Sequence, residues 1–151
     1  MNNITVRQAV LSDLEALALL FDGYRQFYGR GSDVCAAKAF LLERFNHHES
    51  SLFIAHQAQT PVGFTQLYPS FSSVSLARIF ILNDLFVHEQ ARRLGVAAKL
   101  LAAALDFARC QGAVRVSLST ATTNESAQAL YQSAGWQRDE QFFVYHFAIT
   151  P

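Results

Sequence analysis

The chain has 151 residues, 51% of them hydrophobic, with 12 basic and 12 acidic side chains and a formal net charge of zero. That length and apolar content predict one domain, 1–151, with a real core, and exclude a disordered polypeptide. Balanced charge excludes a general attraction to nucleic acid or to an anionic membrane, so any anion site must be local.

Taken in chain order, Ile4 to Ala9 reads as a first strand. Ser12-Asp13-Leu14-Glu15 has the form of a capping box, with Ser12 as N-cap and Glu15 reaching back. The helix behind it repeats apolar residues at Leu14, Leu17, Ala18, Leu20, Phe21, Tyr24 and Phe27, and Gly29-Arg30-Gly31 breaks it. A second helix is predicted near Val34 to Phe45, ended by Asn46-His47-His48. Ser51 to His56 and Val62 to Tyr68 form a hairpin around Gln59-Thr60-Pro61. Pro69 to Ser73 reads as a polar loop before a long strand that ends at Val87. A helix with Ala97, Leu100, Leu101, Ala104, Leu105 and Ala108 on one face follows and stops at Gly112. Val114 to Ser119 is a further strand, and Asn124 or a neighbour starts a helix through Ala127, Leu130 and Tyr131 that stops at Gly135. Two closing strands are predicted, around Trp136 to Arg138 and Phe142 to Ala148. The order indicates a mixed-sheet α/β or α+β layer fold.

The two cysteines, Cys35 and Cys110, form no disulfide or metal framework, and the five histidines have no metal-ligand spacing. No metal is expected. Met1 to Arg7 lacks a signal-peptide pattern and no apolar run is long enough to span a bilayer, so the expected setting is cytoplasmic, without a membrane.

The functional signal lies at Arg92-Arg93-Leu94-Gly95-Val96-Ala97, between the strand ending at Val87 and the helix that runs on from Ala98. The first N–H groups of a helix have no internal partners, and the dipole makes their end electropositive. Gly95 and Ala97 let an anion approach that backbone, and Arg92 and Arg93 add charge. This reads as a pyrophosphate cradle. It lacks the three glycines of a dinucleotide fingerprint and the lysine of a P-loop, so the phosphate belongs to another kind of coenzyme.

Arg92, Gly95 and Ala97, then Asn124, then Leu130-Tyr131 and Gly135-Trp136 occur in the order that resembles the GNAT superfamily of acyl-CoA N-acyltransferases. The similarity covers nearly the whole chain, with Ala97 in place of the commoner glycine. Leu82-Asn83-Asp84-Leu85-Phe86-Val87 resembles the branch containing polyamine and Hpa-type acetyltransferases. The resemblance implies a GNAT fold. That is a central, mixed, mostly antiparallel twisted sheet of roughly six to seven strands, with helices on both faces and two splayed central strands. It implies acetyl-CoA as donor and a primary amine, of a small molecule or of a protein or peptide, as acceptor. It places the pyrophosphate over Arg92, Arg93, Leu94, Gly95, Val96, Ala97 and Ala98, with Asn124 touching the coenzyme. The pantetheine arm falls along Leu85, Phe86 and Val87, where unpaired strand groups can bond its amides.

Direct attack of an amine on a thioester requires a neutral amine, a stabilised oxyanion and a proton for the departing thiolate. An alkylamine of pKa about 10 must first lose a proton. A backbone N–H near Phe86 or Val87 is the expected oxyanion donor. Tyr131, matching the family's tyrosine, is the expected general acid; the alternative is a half-buried aromatic with a local hydrogen bond. For the base, polyamine-type relatives carry glutamate where this chain has Asn83, and an amide cannot take a proton at neutral pH. Asp84 can, but period-two alternation sends it to the opposite face unless a bulge intervenes. Asn83 is then left to orient water or amine, and Asp84 is either base or a structural carboxylate. Tyr24 and Tyr28 are substrate-pocket candidates or core aromatics. A second reading is an acyl-CoA-binding regulator without turnover; a third is a plain interaction module. A homodimer is expected, with Phe142, Phe143, Tyr145 and Phe147 pairing across a two-fold axis or else filling the chain's own core.

Overall fold

A computed structural model describes residues 3–150. They fall into two compact units, one ending at Ser119 and the other beginning at Thr120.

The first unit runs β1 (Ile4–Gln8), a 3-10 turn (Leu11–Asp13), α1 (Leu14–Phe27), α2 (Val34–Asn46), β2 (Ser51–Gln57), β3 (Thr60–Ser72), β4 (Ala77–Val87), a second 3-10 turn (Glu89–Ala91), α3 (Val96–Cys110) and β5 (Val116–Ser117). The strands form one sheet in the order β1-β2-β3-β4-β5. Pairing is antiparallel as far as β4, and β4 with β5 is parallel. Alternation along the strands divides the core. Leu52, Ile54 and Phe64 pack with Leu17, Phe21, Ala37 and Leu41 of α1 and α2. The opposite face receives α3, whose Phe107 ring lies 5.4 Å from those of both Phe53 and Phe80. The expected mixed, mostly antiparallel sheet with helices on both faces is therefore present.

Several local readings need correction. Ser12 is not the cap of α1. The Asp13 carboxylate turns back to accept the Val10 N–H at 2.8 Å, because it also takes two 2.7 Å bonds from the Arg7 guanidinium, which a hydroxyl could not match. The hairpin turn sits at Ala58-Gln59, one step before the position expected, with Ala58 at φ 55°. Pro69 to Ser73 is largely strand: β3 pairs with β4 as far as Ser72↔Ala77. Proline is tolerated there because β2 stops pairing at Leu67, so the missing N–H faces no partner strand. The strand expected over Val114 to Ser119 shrinks to Val116–Ser117.

The second unit contains α4 (Glu125–Ser133). Asn124 caps it, its Oδ1 accepting the Ala127 N–H at 3.1 Å. Gly135, at φ 91°, ends it, and the Trp136 N–H closes back on the Tyr131 carbonyl at 2.9 Å. The Gly135-Trp136 part of the motif is thus a helix stop. The two closing strands do not form. Residues 136–150 carry no ladder, and Phe143, Tyr145 and Phe147 are each about nine-tenths exposed. Alternating aromatics suit a strand, but a ladder also needs a neighbour to pair with. Among the described residues the sheet has five strands, against the six to seven expected.

Candidate active site

The first element of the site is an open strand edge. β5 meets β4 only at Phe80↔Val116 and Ile81↔Ser117. From Leu82 to Val87, β3 is the only strand paired with β4 among the described residues. The His88 N–H donates to Val62 O at 2.7 Å, continuing the ladder. Strict alternation then turns the Phe86 amide toward β3 and those of Leu85 and Val87 toward the open edge. Of the two amides the sequence suggested, that of Val87 faces the open edge. Arg92 Nε donates to Val87 O at 3.0 Å, which fixes the guanidinium beside that edge. The same group lies 6.0 Å from the Phe27 and Phe86 ring centres.

The open edge leads into the front of α3. Gly95 is its N-cap at φ 79°, and no side chain caps the first turn. Arg93 is exposed and also left-handed, at φ 64°. Val96 is buried, while Ala97 and Ala98 present small side chains beside their amides. The turn therefore has the build expected of an anion cradle: a glycine at the bend, uncapped first-turn amides, and two arginines. Gly63 on β3 makes this possible. A Cβ there would stand 2.8 Å from Phe86 O and 3.3 Å from side-chain atoms of Val96 and Leu100. Only a residue without a side chain lets β3, β4 and the front of α3 close on one another.

The second element is a buried carboxylate. The β3–β4 register shifts between Gln66 and Leu67, so Leu67 faces Leu82, Gln66 faces Asp84, and Asn83 is the extra residue of a bulge. Without the bulge Asp84 would share the face of Leu82. With it, Asp84 shares the face of Gln66, Phe64 and Phe86, under α1. Asp84 is 2% exposed and Gln66 is fully buried. Asp84 Oδ1 accepts from Asn83 Nδ2 at 2.8 Å, and Oδ2 accepts from Gln66 Nε2 at 2.5 Å. Thr65 Oγ1 holds the Asp84 carbonyl at 2.7 Å.

Burial pushes the Asp84 carboxyl above the ordinary aspartate value of 3.8; the Gln66, Asn83 and Tyr24 side chains oppose this only in part. Burial and the neighbouring Asp84 charge together drive the Tyr24 phenol up, and the Tyr68 phenol to about 12, so both stay protonated at neutral pH. The Tyr24 hydroxyl donates to Asn83 O at 3.1 Å, linking α1 to the bulge. Tyr28 is half exposed, its ring 5.1 Å from that of Tyr24. The loop beyond it is tied down by Asp22. That buried carboxylate accepts from Gln26 Nε2 (2.8 Å), Ser32 Oγ (2.7 Å) and the Asp33 amide (2.7 Å). These bonds, the backbone one first, hold it below the usual carboxylate range.

The first unit thus gathers Tyr24, Tyr28, Asn83, Asp84, Leu85, Phe86, Val87 and Arg92 to Ala98. Asn124 and Tyr131 belong to the second unit. There Asn124 is the α4 cap, and the partly buried Tyr131 ring lies 6.1 Å from that of Trp136. Sequence reasoning missed Gln66 and Gly63. The signal for both was available: a glutamine and a glycine inside the mostly apolar run Val62 to Tyr68.

The first unit thus carries a β4 edge without a strand partner among the described residues, a helix start with no side-chain cap and a buried carboxylate. The profile of the acetyltransferase (GNAT) family matches residues 17–136, and the chain belongs to that family. It is 47% identical over 142 residues to the uncharacterized N-acetyltransferase YhfO of Bacillus subtilis, covering 94% of this chain and 95% of that one. A probable acetyltransferase of Haemophilus influenzae is 30% identical over 139 residues, covering 91% and 93%. A crystal structure of a probable acetyltransferase superposes with a TM-score of 0.91 at 44% identity, over 97% of this chain and 99% of that one. The fold is also that of the aminoglycoside N-acetyltransferase AAC(6')-Iy solved with CoA (TM-score 0.81, 22% identity, 97% of that chain and 99% of this one). The protein is an N-acetyltransferase, and its relatives do not favour a regulator without turnover.

Proposed function

We propose that the chain transfers an acetyl group from acetyl-CoA to a primary amine by direct attack in a ternary complex, 1–151 acting as one catalytic domain. The observation that carries this reading is the loss of the β5 partner after Ile81, on the strand that runs into the Gly95 turn. In this reading the coenzyme diphosphate rests on the Val96, Ala97 and Ala98 amides with Arg92 and Arg93, Leu94 lining the turn. The pantetheine arm bonds the outward amides of Leu85 and Val87, past the Phe86 ring. Asn124 contributes to coenzyme binding from its cap. The acceptor amine approaches along Tyr24, Tyr28 and Asn83 and gives its proton to Asp84. Its nitrogen attacks the thioester carbonyl and the Val87 N–H stabilises the oxyanion; the C–S bond breaks, Tyr131 protonates the thiolate, and the surplus proton on the new amide nitrogen leaves through water to restore the Tyr131 phenol.

Mixing the protein with acetyl-CoA and a panel of primary amines, and following free thiol, tests the assignment. Acceptor-dependent thiol release is the expected result; tight CoA binding with no acceptor-dependent release across the panel would overturn it. Tyr131→Phe should lower turnover by about a hundredfold, the range for a lost general acid, with little change in acetyl-CoA affinity. Unchanged turnover removes Tyr131 from the chemistry.

Two further parts of this reading are a cytoplasmic setting and a homodimer built through the exposed aromatics of 142–149. The described residues include no helix long and apolar enough to cross a membrane. Sedimentation at micromolar concentration checks the dimer.

A further inference from the structure

Gln66 is the residue whose side chain the fold explains least. It is fully buried on β3, directly across the ladder from Asp84. Its Nε2 donates to Asp84 Oδ2, yet its Oε1 is buried with no hydrogen-bond partner. A buried amide oxygen left unpaired costs free energy, and an apolar residue would fill the space without that cost. The orphan oxygen has a use if Asp84 changes its protonation state. An ionised carboxylate only accepts, so it needs Nε2; a neutral carboxyl group carries an O–H that needs an acceptor.

We propose that the Gln66 amide is a positioning group that serves both states of Asp84. It donates from Nε2 to the carboxylate and, after turning about its terminal bond, accepts the carboxyl O–H at Oε1. The inference rests on Asp84 as the base of the reaction. When an ammonium N–H bond breaks and the proton joins an Asp84 oxygen, the new O–H meets Oε1 instead of an opposing N–H. Asn83 Nδ2 stays on Oδ1 throughout. The remaining titratable groups on this face are the phenols of Tyr24 from α1 and Tyr68 from β3. Arg44 of α2 and Glu49 act on Tyr68 with opposite sign. The Tyr24 hydroxyl also reaches the Asp84 carboxyl and, as a donor, opposes the rise in its pKa.

The test has two arms. In wild-type protein, NMR follows the Asp84 carboxyl carbon and the Gln66 side-chain NH2 group against pH, beside the pH profile of kcat/KM for the acceptor. The expected result is one shared midpoint for all three. In Gln66→Met, which keeps the shape and loses the amide, both states of Asp84 lose a bond, and the carboxylate loses the stronger, charge-assisted one. The acid limb of kcat/KM should then move upward by about one pH unit or more, with acetyl-CoA KM nearly constant. If the Asp84 carbon does not titrate with the acid limb, the base assignment fails and this inference with it. If it does titrate while the Gln66 NH2 signals stay fixed, Gln66 is structural only and the base assignment survives. The NMR arm decides the matter if the methionine variant does not fold.

Discussion

Asp84→Asn lowers acceptor-dependent turnover at pH 7 by about a hundredfold to ten-thousandfold, the range for a lost general base, while acetyl-CoA affinity stays nearly constant. The split follows from the geometry: Asp84 lies on the α1 face with Gln66, Tyr24 and Tyr68, and the proposed coenzyme edge is made by backbone amides. Stability should move the other way. Burial raises the folded-state pKa of Asp84 above 3.8. The native state therefore favours the neutral form. The stability contributed by that group is fully present below its unfolded value and is drawn down as pH rises through its higher folded value. Asparagine removes the buried charge, and Gln66 can turn to meet the new amide. The variant should melt at or above the wild-type temperature at pH 7, with the difference vanishing below about pH 4. A variant with wild-type turnover, or one that melts far lower at pH 7, would show Asp84 to be a structural carboxylate.

Gly63→Ala should cost about 1–3 kcal/mol, the range for forcing extra volume into a packed core. A drop in Tm of several degrees is expected for a chain of this size. The reason is local. The added carbon would sit 2.8 Å from the Phe86 carbonyl, which is backbone and has no rotamer to escape into, and 3.3 Å from Val96 and Leu100. Either β4 or the front of α3 must shift. Both carry the proposed coenzyme contacts, so acetyl-CoA affinity should fall by about tenfold, and more than acceptor KM changes. Calorimetry and equilibrium binding of acetyl-CoA check the two effects together. A stable variant with unchanged coenzyme affinity would show that this close approach does not position the cradle.

Much of the fold was legible in period and punctuation. Leu14, Leu17, Ala18 and Phe21 mark α1 at helical spacing, and the chain indeed forms Leu14–Phe27. Gly95 before an alanine- and leucine-rich run marks the start of α3, because a left-handed residue there must be one that pays no steric penalty. The closing aromatic strands failed the same test, since alternation at 142–148 states a preference and supplies no partner. Pro69 misled in the opposite sense: a ring without an N–H suggests a loop, and only the end of β2 at Leu67 makes it harmless.

The site divides along the same line. From residue order alone came the proposed cradle at Arg92 to Ala98, the strand beside it, and the family they resemble, because a turn, a glycine and a helix start are local in the chain. Tertiary structure alone decided which face Asp84 takes, since one extra residue at Asn83 in the β3–β4 ladder reverses the parity of everything after it. It alone brought Gln66 opposite Asp84 and Tyr24 over the bulge, and it alone required Gly63. Those depend on pairing between segments distant in sequence, where register is set by the whole sheet and not by any residue's own preference.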